Sequence, residues 1–140
     1  MTEYEFSAEL VFWGDALDSK RLANDLSLTI SQSRAKGEPL KRPDGTDSGS
    51  VAKTGMLSCD CGSRDSSLKR DPEGQLRAAL GALRRLAGPL GNTYGVADAE
   101  LQINVYYREK TSGDPDFMFP PELLDLLVQY RIELRLTVLP

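Results

Sequence analysis

The chain has 140 residues, of which 40% are hydrophobic and 27% are charged, and its formal net charge is −4. It contains no histidine, which excludes Ser-His-Asp catalysis, Cys-His catalysis and histidine metal sites. The negative net charge disfavours a general nucleic-acid binder, because such proteins usually carry a basic surface.

The start of the chain and its hydropathy both indicate a protein outside the membrane. The first ten residues, MTEYEFSAEL, lack the basic region and the apolar run of a signal peptide. No stretch approaches the roughly 20 apolar residues of a membrane-spanning helix. We therefore expect a cytoplasmic protein with no membrane contact, and the length predicts one domain over residues 1–140.

The first predicted elements are a strand and a short helix. Residues 4–13, YEFSAELVFW, alternate between two faces with aromatic and branched side chains, which is typical of a half-buried strand. Asp18 is suited to the N-cap of a helix over about 19–27, in which Leu22 and Leu26 lie one turn apart. The sequence LTIS that follows predicts a short extended piece.

The middle of the chain is polar and then becomes apolar. Residues 31–50 are rich in Gly, Pro, Ser and Asp, which predicts a flexible polar loop. The sequence PDG at 43–45 predicts a turn, because proline fixes φ and glycine accepts a positive φ. A second strand is predicted over 51–61, and it places Cys59 and Cys61 on the same face.

The strongest helix signal covers about residues 72–87. Asp71 fits the N-cap, Pro72 fits the first helical position, and Gly88 fits the left-handed residue that ends a helix. An apolar stripe runs along this helix at helical spacing. Its members are Leu76, Ala79, Leu80, Leu83, Leu86 and Ala87.

Three further elements complete the predicted fold. Residues 100–108 alternate and predict a strand, PPELLDLLVQY predicts a helix over about 120–129, and residues 131–139 predict a last strand. The order is β-α-β-α-β-α-β. Half-polar strands suit a sheet that is covered on one side. We expect an α+β two-layer sandwich with about four mostly antiparallel strands and about three helices on one face.

The two cysteines pose the clearest chemical question. Cys59 and Cys61 could supply two metal ligands, but a zinc site needs about four ligands, and no histidine or further cysteine is present. A disulfide between them would be strained, because the two Cα atoms of an i, i+2 pair in a strand are at the limit of bridging. Free cysteine is among the most often buried residue types, so buried thiols are the favoured interpretation and reactive thiols the alternative.

Two surfaces are candidates for binding a partner. Trp13 and Tyr106 fall on the outer face of the predicted sheet, where they either form an exposed apolar patch or cap strand ends. Arg77 and Arg84 lie on the polar side of the long helix, where they either meet an acidic partner or form its solvated face. The edges of the sheet, which can pair with another chain, are a further candidate.

Several aspartates lie in loops that a two-fold pseudo-symmetry would bring together. They are Asp15, Asp18, Asp114 and Asp116. Paired carboxylates serve acid–base catalysis or calcium binding, but this spacing matches no calcium loop, and turn and cap roles are the simpler explanation of each residue.

The layout resembles a bacterial family known as domain of unknown function 4279. The resemblance rests on WGDALD at the end of the first strand, on KGEPL, on TGMLSC, and on the closing FPPELLDLLVQYRIELRLTV. It implies an α+β domain and no established activity or catalytic residues. Immunity-type or accessory roles attributed to relatives add the expectation of a protein partner.

These observations predict an uncharacterised bacterial protein-binding module, immunity-like in kind, that acts through a sheet face or edge. One alternative is a small-molecule-binding protein or an enzyme with a groove site that uses Asp15, Asp114 or Cys59. Another is a structural homodimer. No catalytic residue, cofactor or metal is predicted, and a role other than catalysis is favoured.

Overall fold

A computed structural model describes residues 4–107 and 117–139. Seven strands and four helices occur within these ranges. In chain order they are β1 (Tyr4–Gly14), α1 (Ser19–Leu26), β2 (Thr29–Arg34), β3 (Pro39–Lys41), β4 (Asp47–Val51), β5 (Gly55–Asp60), α2 (Pro72–Arg84), α3 (Leu90–Tyr94), β6 (Asp98–Tyr107), α4 (Pro121–Gln129) and β7 (Glu133–Leu139).

Five of the strands form one mixed sheet in the order β2-β5-β1-β6-β7. The central strand β1 pairs antiparallel with both β5 and β6, and β2 pairs antiparallel with β5. Together with α1 and α2, these four strands have the split β-α-β topology of ferredoxin-like folds. The α4 crossover then adds β7 parallel to β6 at the edge of the sheet.

The hydrophobic core lies between the sheet and the helices. Alternate side chains of β1, β5 and β6 point to one face, which we call the inner face, and each of the four described helices buries apolar side chains against them. The inner-face residues of β1 are at most 1% exposed. They are Phe6, Ala8, Leu10 and Phe12.

The α+β class is confirmed, and both predicted N-caps form. The Asp18 carboxylate accepts a hydrogen bond from the Arg21 N–H at 3.2 Å, and Asp71 accepts one from the Gly74 N–H at 2.9 Å. The predicted strand number is wrong, because the sheet has five strands rather than about four. The LTIS piece is in fact the start of β2, an edge strand whose mostly exposed polar side chains give no apolar alternation.

The segment 31–50, predicted as a loop, instead contains the end of β2 and the β3–β4 hairpin. The predicted turn at 43–45 joins the two strands of this hairpin, in which the Arg42 N–H donates to the Thr46 carbonyl at 2.8 Å. Gly45 takes a φ of +87°, as the turn requires. Most side chains of the hairpin are exposed, so its sequence carries no apolar pattern that would predict strands.

A buried glutamine on α2 ties the helix to the central strand. Gln75 is 0% exposed. Its Oε1 accepts from the Ala8 N–H at 2.9 Å, and its Nε2 donates to the carbonyls of Phe6 at 2.7 Å and Leu68 at 2.9 Å. The side-chain amide therefore satisfies two buried backbone groups of β1 and one partly buried carbonyl of the loop before α2.

Replacing Gln75 with the similarly sized methionine should destabilise the protein by about 3 kcal/mol, because a buried N–H and two carbonyls lose their partner. Urea unfolding followed by circular dichroism measures this as a lower midpoint at unchanged slope. The matched control is Gln129→Met on the exposed side of α4, which should change stability by less than about 0.5 kcal/mol. Equal midpoints for the two variants would contradict the role assigned to Gln75.

Candidate functional site

The outermost strand β7 presents apolar side chains that none of the four described helices covers. It pairs with β6 in parallel over seven consecutive residues without a register shift, so its inner-face side chains continue the apolar rows of β6. On β6, Leu101, Ile103 and Val105 are each 0% exposed. Their neighbours on β7, Leu134, Leu136 and Val138, are 46%, 55% and 52% exposed. The helix layer thus ends one strand before the sheet does.

Helix α4 extends this apolar surface. Leu123 and Leu127 point into the core, where α4 packs beside α2. Leu124 and Val128 point away from the core and are 43% and 79% exposed. An open groove of about 470 Å³ separates them from the start of β7. We refer to Leu124, Val128, Leu134, Leu136 and Val138 as the β7–α4 patch.

The opposite edge of the sheet is built differently. The pairing of β2 with β5 shifts register between Ile30 and Gln32, which marks a bulge. Ile30 is 48% exposed, but the residues that follow it in β2, Ser31 to Arg34, are all polar. Bulges and polar residues are common means of preventing an edge strand from pairing with another chain. The β7 edge has no bulge, so it is the more accessible of the two for a new strand.

The outer face of the sheet is polar around Glu9. The Ser31 hydroxyl donates to Glu9 Oε1 at 2.8 Å, and the Ser58 hydroxyl donates to Glu9 Oε2 at 3.1 Å. These bonds link β2, β5 and β1 on the face away from the helices. The carboxylate is thereby held in place by its own sheet.

The outer face does not bring Trp13 and Tyr106 together. Trp13 pairs with Asp98 at one end of β6, and Tyr106 pairs with Glu5 at the other end. At about 3.3 Å per residue, the two aromatic residues lie about 26 Å apart along the sheet. Tyr106 is 38% exposed and lies next to Leu139, whereas Trp13 is partly buried. The aromatic patch expected from the sequence is therefore divided between two ends of the face.

Arg77 and Arg84 line one groove, between α2 and the segment before α4, with a volume of about 610 Å³. Leu80 and Phe119 also line this groove. The neighbouring Arg85 has a different role, because its Nε and Nη2 donate to the Leu26 carbonyl at 3.1 Å and 2.6 Å and so cap the end of α1. Of the three arginines of α2 and its C-cap, Arg77 and Arg84 therefore line a concave surface and Arg85 does not.

The cysteines are buried and unbridged, which confirms the favoured interpretation. Burial raises the pKa of the Cys59 thiol to about 11, with a smaller contribution from the negative charge of Glu9. Burial also raises the pKa of Cys61, and the Asp60 carboxylate adds to the effect. Both thiols belong to the inner-face core, and neither has the lowered pKa of a reactive cysteine.

Among the described residues, Asp15 and Cys59, two of the candidates for a groove site, do not lie together. Asp15 is exposed and pairs with Lys36 at 3.1 Å, whereas Cys59 lies in the core. The Thr54 hydroxyl and the Lys36 ammonium lower the pKa of Asp15. Asp114, like Asp116, lies outside the described residues. Within residues 4–107 and 117–139, no three acidic or cysteine side chains are grouped as a metal site would require.

Sequence reasoning identified the strand at β7 but not its exposure. The alternation of apolar residues in β7 is the same as in a covered strand, so the pattern alone cannot reveal that the helices stop short of it. One signal was available on α4, where Leu123 and Leu127 form one apolar row and Leu124 and Val128 form another. A surface helix usually needs only one such stripe, so a second one indicates a second contact.

None of the described helices combines the length and the apolar character needed to span a bilayer. A family model described as Domain of unknown function (DUF4279) matches residues 2–139. The chain therefore belongs to this family. Comparison with curated proteins gave no significant match, and neither did comparison with solved structures.

The buried thiols should not react with Ellman's reagent at pH 8 in the native protein, because they are protonated and inaccessible. Unfolding in guanidinium should release both. A control variant, Ser66→Cys, places one thiol in an exposed turn and should label at once. Rapid labelling of the unmodified native protein would contradict the burial of Cys59 and Cys61.

The raised thiol pKa values also predict a loss of stability in alkali. In the unfolded chain the thiols ionise near pH 8.5, but in the folded chain Cys59 ionises only near pH 11. Their stabilising contribution is therefore complete below pH 8.5 and falls as the pH rises toward 11. Urea midpoints should decline more steeply for the natural protein than for Cys59→Ala/Cys61→Ala. An equal decline of the urea midpoint with pH in the two proteins would contradict this prediction.

Proposed function

We propose that this member of the family is a protein-binding domain, and that its partner adds a strand to β7 and covers the β7–α4 patch. The observation that supports the proposal is the contrast across one strand pair. Apolar residues are fully buried on β6 and about half exposed at the same register on β7. A contiguous apolar surface beside an open sheet edge is typical of a protein-binding site.

Strand addition would give partners to the backbone polar groups at the edge of β7 and would also bury its exposed apolar side chains. No strand among residues 4–107 and 117–139 pairs with the outer edge of β7, and a partner strand would supply hydrogen bonds to the backbone N–H and C=O groups there. Its alternate side chains would lie beside Leu134, Leu136 and Val138 and remove them from water. The matching partner segment is extended and apolar at every second residue.

If the partner is a different protein, the charge of this chain favours a basic one. The net charge of the chain is −4, and an acidic protein attracts a basic one from a distance and speeds their encounter. Close to the patch, Glu122 and Asp125 on α4 are exposed and acidic. An immunity-like role in the bacterial cytoplasm, in which the domain neutralises a basic protein, is one form that this binding would take.

The substitution Leu136→Arg should abolish partner binding, because it places a charge at the centre of the apolar row of β7. The measurement is affinity capture from a lysate of the source organism, with the captured protein quantified by mass spectrometry. Circular dichroism should show an unchanged fold, since Leu136 is 55% exposed.

The matched control is Ile30→Arg, the same kind of change on the opposite edge strand, where the side chain is 48% exposed. It should leave capture unchanged. Hydrogen exchange of β7 should slow when the partner is bound and stay fast in the Leu136→Arg variant. If both variants capture the partner equally well, or if only Ile30→Arg loses it, the proposed site on β7 is wrong.

A further inference from the structure

We infer that a second copy of this chain is the partner that β7 accepts, and that the two β7 strands pair antiparallel about a two-fold axis through Leu136. The inference rests on the proposed function, since it names the occupant of the same edge. It joins two five-stranded sheets into one continuous sheet of ten strands. Two-fold symmetry is the commonest arrangement of homo-oligomers.

The sequence of β7 is self-complementary in this register. Residues opposite each other in an antiparallel pair point to the same face. With the axis at Leu136, Leu134 therefore lies opposite Val138 of the other copy, and Leu136 lies opposite Leu136 of the other copy. All three positions are apolar and all three point to the inner face. On the outer face, Arg135 lies opposite Thr137 and Glu133 opposite Leu139, so no like charges are directly opposed.

Other registers fit less well. An axis through Arg135 would place the two Arg135 guanidinium groups directly opposite each other, which is destabilising. An axis through Leu134 would pair only residues 133–135 of the seven in β7. The axis through Leu136 pairs the whole strand and keeps like charges apart, so strand length and charge select the same register.

The exposed side of α4 fits the same arrangement. Leu124 and Val128 line a groove together with Leu134, the first inner-face residue of β7. A two-fold axis perpendicular to the sheet brings the α4 helices of both copies to one side. The two patches then close over the joined β7 strands, and all five residues of each patch contribute to one apolar interface. An obligate dimer interface has this character.

Sedimentation equilibrium of the purified full chain tests the inference. We expect a mass twice the 15.4 kDa of the chain at micromolar concentration. Leu136→Arg should raise the dissociation constant at least about 100-fold, because it opposes two charges on the axis. Ile30→Arg should sediment as the unmodified dimer.

Disulfide trapping tests the register without relying on a disruptive variant. In Leu136→Cys, the two new thiols face each other across the axis and should form an interchain disulfide on mild oxidation. In Leu134→Cys, each new thiol lies opposite Val138 of the other copy. The two introduced cysteines are then four residues apart along the strands, about 13 Å at about 3.3 Å per residue, so no crosslink should form. The natural cysteines are buried and should not interfere.

The outcomes separate this inference from the proposed function. A dimer that Leu136→Arg dissociates, with crosslinking at 136 and not at 134, supports it. A monomer at every concentration overturns it, and the proposed function still stands if Leu136→Arg then loses capture of another protein. A monomer whose capture of other proteins does not depend on Leu136 overturns both. A dimer that crosslinks at 134, or that persists in Leu136→Arg, overturns the β7 pairing.

Discussion

The sheet depends on the side chain of Gln75, which takes the place of a missing strand. β1 is longer than its neighbour β5, whose pairing with β1 ends at Asp60. Past that point the Ala8 N–H and the Phe6 carbonyl would face the core without partners, and Gln75 binds both. A single amide thus performs the hydrogen bonding of a strand residue and fixes α2 against β1 at the same point.

The hydrogen bonds of Gln75 have consequences on the other side of β1. Because β1 stays extended past the end of β5, it pairs with β6 over ten residues, from Tyr4 to Trp13. A β6 of that length gives β7 a full-length parallel neighbour. The α4 crossover that connects them packs beside α2 and buries Leu123 and Leu127 in the core, and the apolar side chains of β7 stay about half exposed beside it. The exposed edge is therefore a result of how the core is closed, several elements away.

The sequence predicted those features that local chemistry determines. Asp18 and Asp71 were identifiable as N-caps because the capping residue and the apolar spacing lie within one turn of each other. Alternation revealed β1 and β6, each of which buries one face. It could not reveal β2, whose exposed side chains follow no apolar period. Strand order and helix coverage depend on contacts between distant residues, which is why the exposure of Leu136 became visible only in the fold.

The two edges of the sheet show that the exposure of β7 is a specific property and not a general weakness. β2 has a bulge and polar neighbours, which are devices that prevent edge pairing. β7 has seven regular residues and an apolar inner face. An unprotected edge of this kind aggregates unless a defined partner occupies it. Within the described part of the chain, one edge is protected and the other is open, and this asymmetry is the reason for proposing that β7 is paired in the functional protein.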